Sequence, residues 1–308
     1  MARKRRGRPI HGWLILDKPS GITSSAAVGR ARRFTDAAKV GHGGTLDPLA
    51  TGVLPLAFGE ATKTMSFVMD ALKTYTFTIR WGEARDTDDA EGAVIETSAR
   101  RPSRDEILTA LESFRGDIVQ IPPQYSAIKV DGQRAYDLAR AQQTVELSSR
   151  IVHIEKFDLV EMIDPDHTSF EVESGKGTYM RSLARDLSQK LGTFGHIAAL
   201  RRLAVGPFKE AGAISLDNLE KLGHSAPPTD FLMPIETALD DIPALALTEE
   251  EARSLRLGQP IAVLPVARRN SLQEVPKGTV MCAMAAGKLV AMVRIQGGEI
   301  RSVRVLNV

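Results

Sequence analysis

Side-chain polarity alternates from residue to residue in the segment KTYTFTIRWG, at positions 73–82. Its apolar members take every second position, at Tyr75, Phe77, Ile79 and Trp81. This period of two predicts a β-strand with one face in a hydrophobic core and a polar opposite face. A sheet of this kind needs a second layer over its apolar face. Positions 178–192 supply one, because they predict a helix with an apolar face formed by Leu183, Ala184, Leu187 and Leu191.

Other segments predict the same mixture of strands and helices. The apolar run VLPLAFG at positions 53–59 predicts a buried strand, and Ser103 with Glu106 predicts a capping box at a helix start. Thr248 and Glu251 form a second capping box, followed by three strand-like runs, TVMCAMA, KLVAMVRIQ and EIRSVRVLN. The acidic segment EARDTDDAEG, at 83–92, predicts an exposed loop. We therefore predict an α+β protein with a small β-rich domain at its C-terminal end.

The composition is that of an ordinary globular protein, with 308 residues, 43% hydrophobic and 25% charged. These values exclude disordered, collagen-like and coiled-coil chains. The length suits about two domains, and we predict a basic tail at 1–9, a main domain at 10–245 and a C-terminal domain at 246–308. The tail holds five positive charges and no acid. It favours contact with a polyanion such as RNA, although such a tail also aids solubility.

Cysteine usage and hydropathy favour a cytoplasmic protein. Cys282 is the single cysteine of the sequence, so it can form neither an intrachain disulfide nor a cysteine-based zinc site. No stretch reaches the ~18 consecutive apolar residues that a membrane span needs. The N-terminus MARKRRGRPIHG is charged but lacks the apolar segment of an export signal. We expect no membrane span and no export by this signal.

Several familiar catalytic motifs are absent from the sequence. There is no G-x-S-x-G elbow, no G-x-x-x-x-G-K-S/T phosphate loop and no H-E-x-x-H zinc motif. The six histidines are scattered singly, so we predict no metal site. Gly41 and Gly43 begin like a dinucleotide-binding fingerprint, but Leu46 stands where the third glycine should be. A carboxylate remains as the main candidate for chemistry.

Asp47 occupies an unusual place, inside the glycine-rich loop GHGGTLDPLATG at positions 41–52. One interpretation is structural, because aspartate before Pro48 is a common way to open a turn. The other is functional, because the proline fixes the backbone, His42 flanks the acid and the glycines let a ligand come close. The spacing alone leaves both interpretations open.

A cationic and aromatic group of residues could serve the same site. A buried carboxylate needs a cationic partner to stay ionised, and a site that receives RNA needs aromatic surfaces. Lys176, Tyr179 and Arg181 offer both at the point where a predicted strand gives way to a helix. The alternative is an ordinary surface helix on which Tyr179 serves packing.

Five blocks of the sequence resemble, in the same order, the bacterial tRNA pseudouridine-55 synthases of the TruB type. They run from Leu16 to Gly206 and read LDKPSGITS, GHGGTLDPLATGVLPLAFGEATK, KTYTFTIRWG with DTDDAEG, PPQYSAIKVDGQRAYDLAR, and KGTYMRSLARDL with LRRLAVG. A single block could match by chance, whereas five in order identify the family. Gly43 departs from the common pattern, since the family often has threonine there.

The resemblance assigns roles to individual residues. Asp47 matches the family's catalytic aspartate, Tyr75 its active-site tyrosine, and Arg181 the arginine that pairs with the aspartate. The positions that contact the flipped nucleotide match His42, Tyr179 and Leu200. These residues form the active site that the resemblance implies.

The resemblance also implies the supporting parts of the molecule. Lys18, next to Pro19, matches a motif that supports the floor of the site. Positions 120–147, with Lys129, read as a protruding loop and short helix and resemble the thumb that grips the T arm of tRNA. The catalytic domain at 10–245 would then be a mixed, largely antiparallel sheet, and residues 246–308 would form a PUA-like domain.

The implied reaction is the isomerisation of a uridine in the T loop of tRNA, position 55, to pseudouridine. It requires no cofactor, and the base must be flipped out of the loop. We expect a monomer with tRNA as its partner and no protein partner. Phosphate contacts could come from the basic tail, Lys129, Arg140, Arg201 and Arg202.

Two other functions remain to be separated from this one. A helper that folds tRNA, with catalysis dispensable or as an added role, would show the same composition and fold. The set of Asp47, Tyr75 and Arg181 favours catalysis, because a pure binding protein has no need of it. An enzyme acting on small nucleotides is disfavoured, because no phosphate-binding lysine follows the glycine-rich loop.

Overall fold

A computed structural model describes residues 7–126, 147–270, 275–276 and 278–308, and the backbone of residues 129–130 and 133–134. Most of the basic tail and most of the segment predicted as a thumb lie outside these residues. The side chain of Lys129, the whole of Arg140 and the short helix predicted near it are therefore outside the described residues.

Apart from the short helix predicted within 120–147, the helices that the sequence predicts are found among the described residues. Predicted capping boxes begin two of them, at Ser103 with Glu106 and at Thr248 with Glu251, and the Thr23 hydroxyl caps another. The helices are α1 Ser24–Thr35, α2 Met65–Asp70, α3 Arg104–Leu111, α4 Met180–Lys190, α5 Leu216–Ser225, α6 Glu249–Arg256 and α7 Val263–Ala267.

The strands of the described residues form one large sheet, one smaller sheet and two short hairpins. In chain order they are β1 Gly12–Lys18, β2 Val40–His42, β3 Thr51–Phe58, β4 Lys73–Trp81, β5 Glu83–Arg85, β6 Val94–Thr97, β7 Gly116–Gln120, β8 Lys129–Val130, β9 Gln133–Arg134, β10 Arg150–Asp164, β11 His167–Ser174, β12 Gly195–Val205, β13 Phe208–Lys209, β14 Ile214–Ser215, β15 Ala244–Ala246, β16 Ile261–Ala262, β17 Val280–Ala285, β18 Lys288–Gln296 and β19 Glu299–Val305.

The large sheet has the order β14-β1-β3-β12-β4-β11-β10-β7, with β2 added to β3 and β13 added to β12. The pairs β1 with β14 and β3 with β12 are parallel, and the other pairs are antiparallel. The predicted alternation in β4 is confirmed, because every second residue from Lys73 to Trp81 is buried. This sheet is the mixed, largely antiparallel sheet of an α+β fold.

Strand β1 is buried on both of its faces. Leu14 and Leu16 belong to the main core, which α1, α3 and α4 help to cover. Trp13 and Ile15 point the other way, into a second core that also contains residues of the small sheet, such as Cys282 and Leu306. A strand with two buried faces reads as a continuous apolar run, which explains the sequence WLIL.

The smaller sheet has the order β15-β17-β18-β19-β16 and begins at Ala244, next to the predicted domain boundary. It has a core of its own, to which Leu255 of α6 and Val293 of β18 contribute. The three strands predicted at the C-terminal end are confirmed as β17, β18 and β19. The division of the chain into domains stays a prediction.

The prediction of an exposed acidic loop at positions 83–92 is wrong in part. Its first residues form β5, which pairs with β6, and Asp89 is only 3% exposed. The physical reason is distant in sequence, since arginines of α4 lie against this loop and compensate its charges.

Candidate active site

Asp47 lies in the loop between β2 and β3, and both of its neighbours are fixed. The N–H of Leu46 donates to Ser24 Oγ at 2.8 Å, and this hydroxyl donates to the Leu46 carbonyl at 3.0 Å. The Pro48 carbonyl accepts from Lys18 Nζ at 3.2 Å. The Asp47 side chain itself is 35% exposed. The main chain is therefore held on either side of a carboxylate that a ligand can reach.

Lys18 is a buried cation beneath this loop. Its ammonium uses all three N–H donors on backbone carbonyls, those of Pro19 at 2.9 Å, Ile22 at 2.8 Å and Pro48 at 3.2 Å. Burial lowers the pKa of Lys18 to about 8, and the nearby Asp47 carboxylate opposes this shift. Lys18 thus supports the loop through its main chain.

Arg202 is a second buried cation under the loop and is 1% exposed. It donates to three backbone carbonyls, those of Val53 at 2.7 Å, Gly44 at 3.1 Å and Thr45 at 3.4 Å. The expectation that Arg202 contacts RNA phosphates is wrong, because a buried guanidinium bonded to the main chain does not reach solvent. The neighbouring Arg201 is partly exposed and forms ion pairs with Asp17 and Glu210.

Two glycines of the loop are required by close packing. A Cβ atom on Gly52 would lie 2.2 Å from the Arg202 carbonyl oxygen, and its φ of +95° is in the region that favours glycine. A Cβ atom on Gly43 would lie 2.6 Å from Val68 Cγ1. Val68 of α2 therefore leaves no room for a side chain at position 43, where the family often has threonine.

Asp47 pairs with Arg181, as the sequence comparison predicts. Arg181 Nε donates to Asp47 Oδ2 at 2.9 Å, and the arginine side chain is only 6% exposed. Arg181 lies in the first turn of α4, and this first turn contains no acidic residue. The partial positive charge of a helix N-terminus attracts anions, so it adds to the attraction between this end of α4 and the carboxylate.

Arg181 is held by three further groups that the sequence analysis did not single out. Its Nη1 donates to the Thr87 carbonyl at 3.0 Å and its Nη2 to the Tyr125 carbonyl at 2.9 Å. The carboxylate of Asp89 lies 3.7 Å from Nε. The sequence did not single out Asp89, because it is one of five acids in ten residues, a pattern typical of an exposed loop. Two carboxylates therefore share one buried guanidinium.

Tyr75 and Leu200 meet other site residues in one hydrophobic cluster. Each is 8% exposed, and both pack in the main core with Leu46 of the loop and Met180 at the start of α4. They come from β4 and β12, which are adjacent strands. The two strands thus bring an aromatic and an aliphatic side chain of the predicted site into the same core.

Tyr179 is held by Gln120, the first residue of the predicted thumb, and by Arg150, which follows the thumb. Its N–H donates to Gln120 Oε1 at 2.8 Å, and Gln120 Nε2 donates to its carbonyl at 3.2 Å. The guanidinium of Arg150 lies 4.7 Å from the centre of the Tyr179 ring, which is a cation–π contact. Neither Gln120 nor Arg150 stands out in the sequence, since each is a single polar residue at a strand end.

His42 ends β2, at the start of the loop. Burial and the nearby Arg202 charge lower the pKa of His42, so the imidazole is neutral at neutral pH. Within the described part of the chain, its buried Nδ1 has no hydrogen-bond partner. A neutral ring with an unused polar atom suits contact with an uncharged base.

Lys176, which the sequence analysis grouped with Tyr179 and Arg181, lies elsewhere. Its ammonium pairs with Asp70 at 2.7 Å, and its side chain is 64% exposed. The described residues contain no group of three or more His, Cys, Asp or Glu side chains placed to hold a metal ion. None of the described helices combines the length and apolar character of a membrane-spanning helix.

Comparison with protein families gives two adjoining matches. The N-terminal domain of the TruB family pseudouridylate synthases matches residues 32–180, and the C-terminal domain of tRNA pseudouridylate synthase B matches residues 181–240. The chain belongs to the TruB family. The family and the enzyme class predicted from the sequence are confirmed, so this TruB-family protein is an isomerase that forms pseudouridine.

Curated TruB-family relatives match over their full length. A tRNA pseudouridine synthase B of Rhodospirillum rubrum is 59% identical over 307 residues, covering 100% of both chains. A tRNA pseudouridine synthase B of Gluconacetobacter diazotrophicus is 54% identical over 305 residues, covering 99% of this chain and 100% of the relative.

A solved structure shares the TruB-family fold. A chain in the crystal structure of a Cbf5-Nop10-Gar1 complex superposes with a TM-score of 0.73 at 25% identity. The match covers 96% of this chain and 84% of that chain. The predicted α+β fold class is confirmed.

Proposed function

We propose that this protein converts a uridine in the T loop of tRNA, position 55, to pseudouridine with Asp47 as the nucleophile. The observation that carries the proposal is the 2.9 Å pair of Asp47 with Arg181, in which the carboxylate is one-third exposed and the arginine is buried. Such a carboxylate is fixed, paired and accessible. The name of the curated relatives, tRNA pseudouridine synthase B, supports tRNA as the substrate.

The reaction balances without any added reagent. The N1–C1′ bond of uridine breaks, the detached base turns, and a C5–C1′ bond forms. The hydrogen on C5 leaves as a proton, and N1 ends with one. A carboxylate can serve this sequence by attacking C1′, by attacking C6, or by removing a sugar proton on the way to a glycal. No redox change occurs, and no cofactor is required.

Arg181 keeps the Asp47 carboxylate at the point of attack. Its planar guanidinium binds Asp47 and the Thr87 and Tyr125 carbonyls at the same time, so its own position is determined by three acceptors. A nucleophile held in this way loses little entropy when the substrate arrives.

The remaining site residues act on the base and on the RNA. We assign Tyr75 to stacking on the uracil ring and to moving the C5 or sugar proton, and Leu200 to the apolar wall beside it. His42 fills the space that the flipped base leaves, and Tyr179 contacts the flipped nucleotide. Lys18 holds the floor of the site. Lys129 binds the RNA backbone.

The T arm of tRNA is the partner that this arrangement serves, and the protein acts as a cytoplasmic monomer without a protein partner. Both members of the central ion pair, Asp47 and Arg181, come from one chain. The site therefore needs no second copy to bring nucleophile and cation together.

The test is tritium release from unmodified tRNA that carries tritium on uridine C5. Isomerisation leaves the mass of the nucleotide unchanged, but it must expel this hydrogen to water. We expect the wild-type protein to release it, and Asp47→Asn to bind the tRNA without release. A matched control is Asp158→Asn, which removes an exposed carboxylate paired with Arg115 and should leave release unchanged.

Two outcomes would contradict the proposal. Salt-sensitive tRNA binding by the wild-type protein without release would show a binding protein in which Asp47 is a turn residue. Full release by Asp47→Asn would show an isomerase with another nucleophile.

A further inference from the structure

Asp88 has a strained backbone and lies between two residues that hold Arg181. Its φ is +60°, in the left-handed region that side chains other than glycine rarely adopt. The residue before it, Thr87, gives its carbonyl to Arg181, and the residue after it, Asp89, places its carboxylate 3.7 Å from the same guanidinium. The conformation at position 88 therefore sets the position of both groups.

The carboxylate of Asp88 is bound by Arg185. Arg185 Nη1 donates to Asp88 Oδ2 at 2.9 Å, and the two side chains are 23% and 16% exposed. Arg185 follows Arg181 by one helical turn on α4, so the two arginines project from the same face. Together they bind three consecutive residues, from Thr87 to Asp89.

Arg185 also contacts the chain at the start of the predicted thumb. Its Nη2 donates to the Ile121 carbonyl at 2.8 Å, an acceptor that it shares with Ser182 Oγ. Arg181 does the same at the Tyr125 carbonyl. Through Arg181 and Arg185, one face of α4 thus contacts both the acidic loop at 83–92 and the chain after β7.

We propose that Asp88 and Arg185 are positioning residues for the Asp47–Arg181 pair. Their ion pair holds residue 88 in its left-handed conformation, which keeps the Thr87 carbonyl and the Asp89 carboxylate against the Arg181 guanidinium. The main chain of residue 88 is held as well, because its N–H donates to the Arg85 carbonyl at 3.0 Å and its carbonyl accepts from the Ile197 N–H at 3.1 Å. Arg185 adds the restraint on the side chain. Without Arg185 the restraint on the Asp88 side chain is lost, and the Thr87 carbonyl and the Asp89 carboxylate fit less closely against the Arg181 guanidinium. This inference rests on the proposed function and refines it.

The first test is Arg185→Gln, with the rate of tritium release in a single turnover and the tRNA dissociation constant measured separately. We expect the rate to fall about 10- to 100-fold, as for a displaced catalytic group, while the dissociation constant stays within about threefold. The matched control is Arg115→Gln, which breaks an exposed pair with Asp158 and should change neither value.

The second test is the double variant Asp88→Gly with Arg185→Gln. Glycine adopts the left-handed conformation without strain, so the loop no longer needs the ion pair to hold its shape. We expect the rate to recover to within about fivefold of wild type. General damage to the fold would instead grow worse, because the double variant has lost both side chains.

Each result bears on the inference separately from the proposed function. If the wild-type protein releases tritium but Arg185→Gln keeps its rate, the positioning role is wrong and the isomerase stands. A loss of tRNA affinity at unchanged rate, or no recovery in the double variant, would also overturn it. An inactive wild-type protein would instead refute the proposed function.

Discussion

The Pro48 carbonyl, one residue after Asp47, accepts a hydrogen bond from the buried Lys18 ammonium at 3.2 Å. Since Lys18 also binds the Pro19 and Ile22 carbonyls, all three N–H donors of the ammonium are used in hydrogen bonds to the main chain. The catalytic loop is therefore supported by a group whose third hydrogen bond exists only while it is protonated.

This relationship predicts a loss of activity at high pH. Above a pH of about 8 Lys18 becomes neutral and keeps two donors for three carbonyls, so the loop loosens and the single-turnover rate falls. Stability responds with the opposite sign. The pKa of Lys18 in the folded protein is about 8, below the usual 10.5, so between these two values the folded state binds fewer protons than the unfolded state. The Lys18 contribution to the free energy of unfolding therefore rises with pH.

Lys73 provides the control for the Lys18 prediction. Burial lowers its pKa to about 8 as well, but among the described residues its ammonium binds only the Met69 and Ala71 carbonyls. A neutral amine still satisfies two acceptors, so Lys73→Met should keep the decline in rate above pH 8. Disappearance of that decline in Lys73→Met would refute the assignment to Lys18.

Replacing Arg181 by methionine should abolish most activity and leave the protein folded. The variant removes the partner of Asp47 and leaves Asp89 without its cation, so we expect the rate of tritium release to fall by about two to three orders of magnitude. Arg181→Lys should not recover it, because one ammonium cannot reproduce the planar fork that binds three acceptors. Normal turnover by a folded Arg181→Met would disprove the role of the pair.

Asp88 predicts a loss of activity at low pH. Burial raises the pKa of Asp88 to about 6, against the charges of Arg185 and Arg181 and with a contribution from Asp186. Below this pH the carboxyl becomes neutral and binds Arg185 more weakly, so the rate falls. Stability responds with the opposite sign, because a pKa that is raised in the folded state gives a contribution that is present at low pH and is lost as pH rises through about 6.

Asp88→Asn isolates this effect. The amide is neutral at every pH and tolerates the left-handed conformation, so it imitates the protonated acid. We expect its rate at neutral pH to be about fivefold below wild type, the difference between a charged and a neutral acceptor. Its rate should not fall further near pH 6. A wild-type decline that survives in Asp88→Asn would have to come from another group.

Gly43→Ala should destabilise the protein through a steric conflict with Val68. The added methyl group would lie 2.6 Å from Val68 Cγ1, and overpacking of this kind costs about 1–3 kcal/mol. Val68→Ala removes the conflict, so the double variant should lose less free energy of unfolding than the sum of the single variants. Gly29→Ala is the control, because its Cβ would meet no atom within 4 Å in α1, and it should not destabilise.

Local patterns in the sequence were sufficient for several elements, but they missed β5 and gave no strand partners. The alternation in β4 and the two capping boxes depend on residues a few positions apart, and both are found as predicted. The pairing of β3 with β12 joins residues about 150 positions apart, and no local pattern contains it. Sheet order therefore could not be predicted from periodicity alone.

The candidate site shows the same limit. Asp47 and Arg181 are 134 positions apart. Residue chemistry offered both Lys176 and Arg181 as cations for this site, and only the resemblance to a family selected Arg181. Asp89 and Arg202 were misjudged, one as a loop acid and the other as a phosphate contact, because burial depends on what packs against a residue. An arginine in a β-strand gives no sign in sequence that its charge will face three carbonyls rather than solvent.

The two buried faces of β1 have a consequence for how the molecule can be divided. Trp13 and Ile15 pack in the same core as Cys282 and Leu306. Lys18 lies three residues after Ile15, at the end of the same strand. The C-terminal sheet therefore packs against β1, the strand whose Lys18 supports the catalytic loop. Removing it to obtain a minimal enzyme would expose Trp13 and Ile15 on one face of β1, so loss of activity in such a truncation would say nothing about RNA contacts made by the removed part.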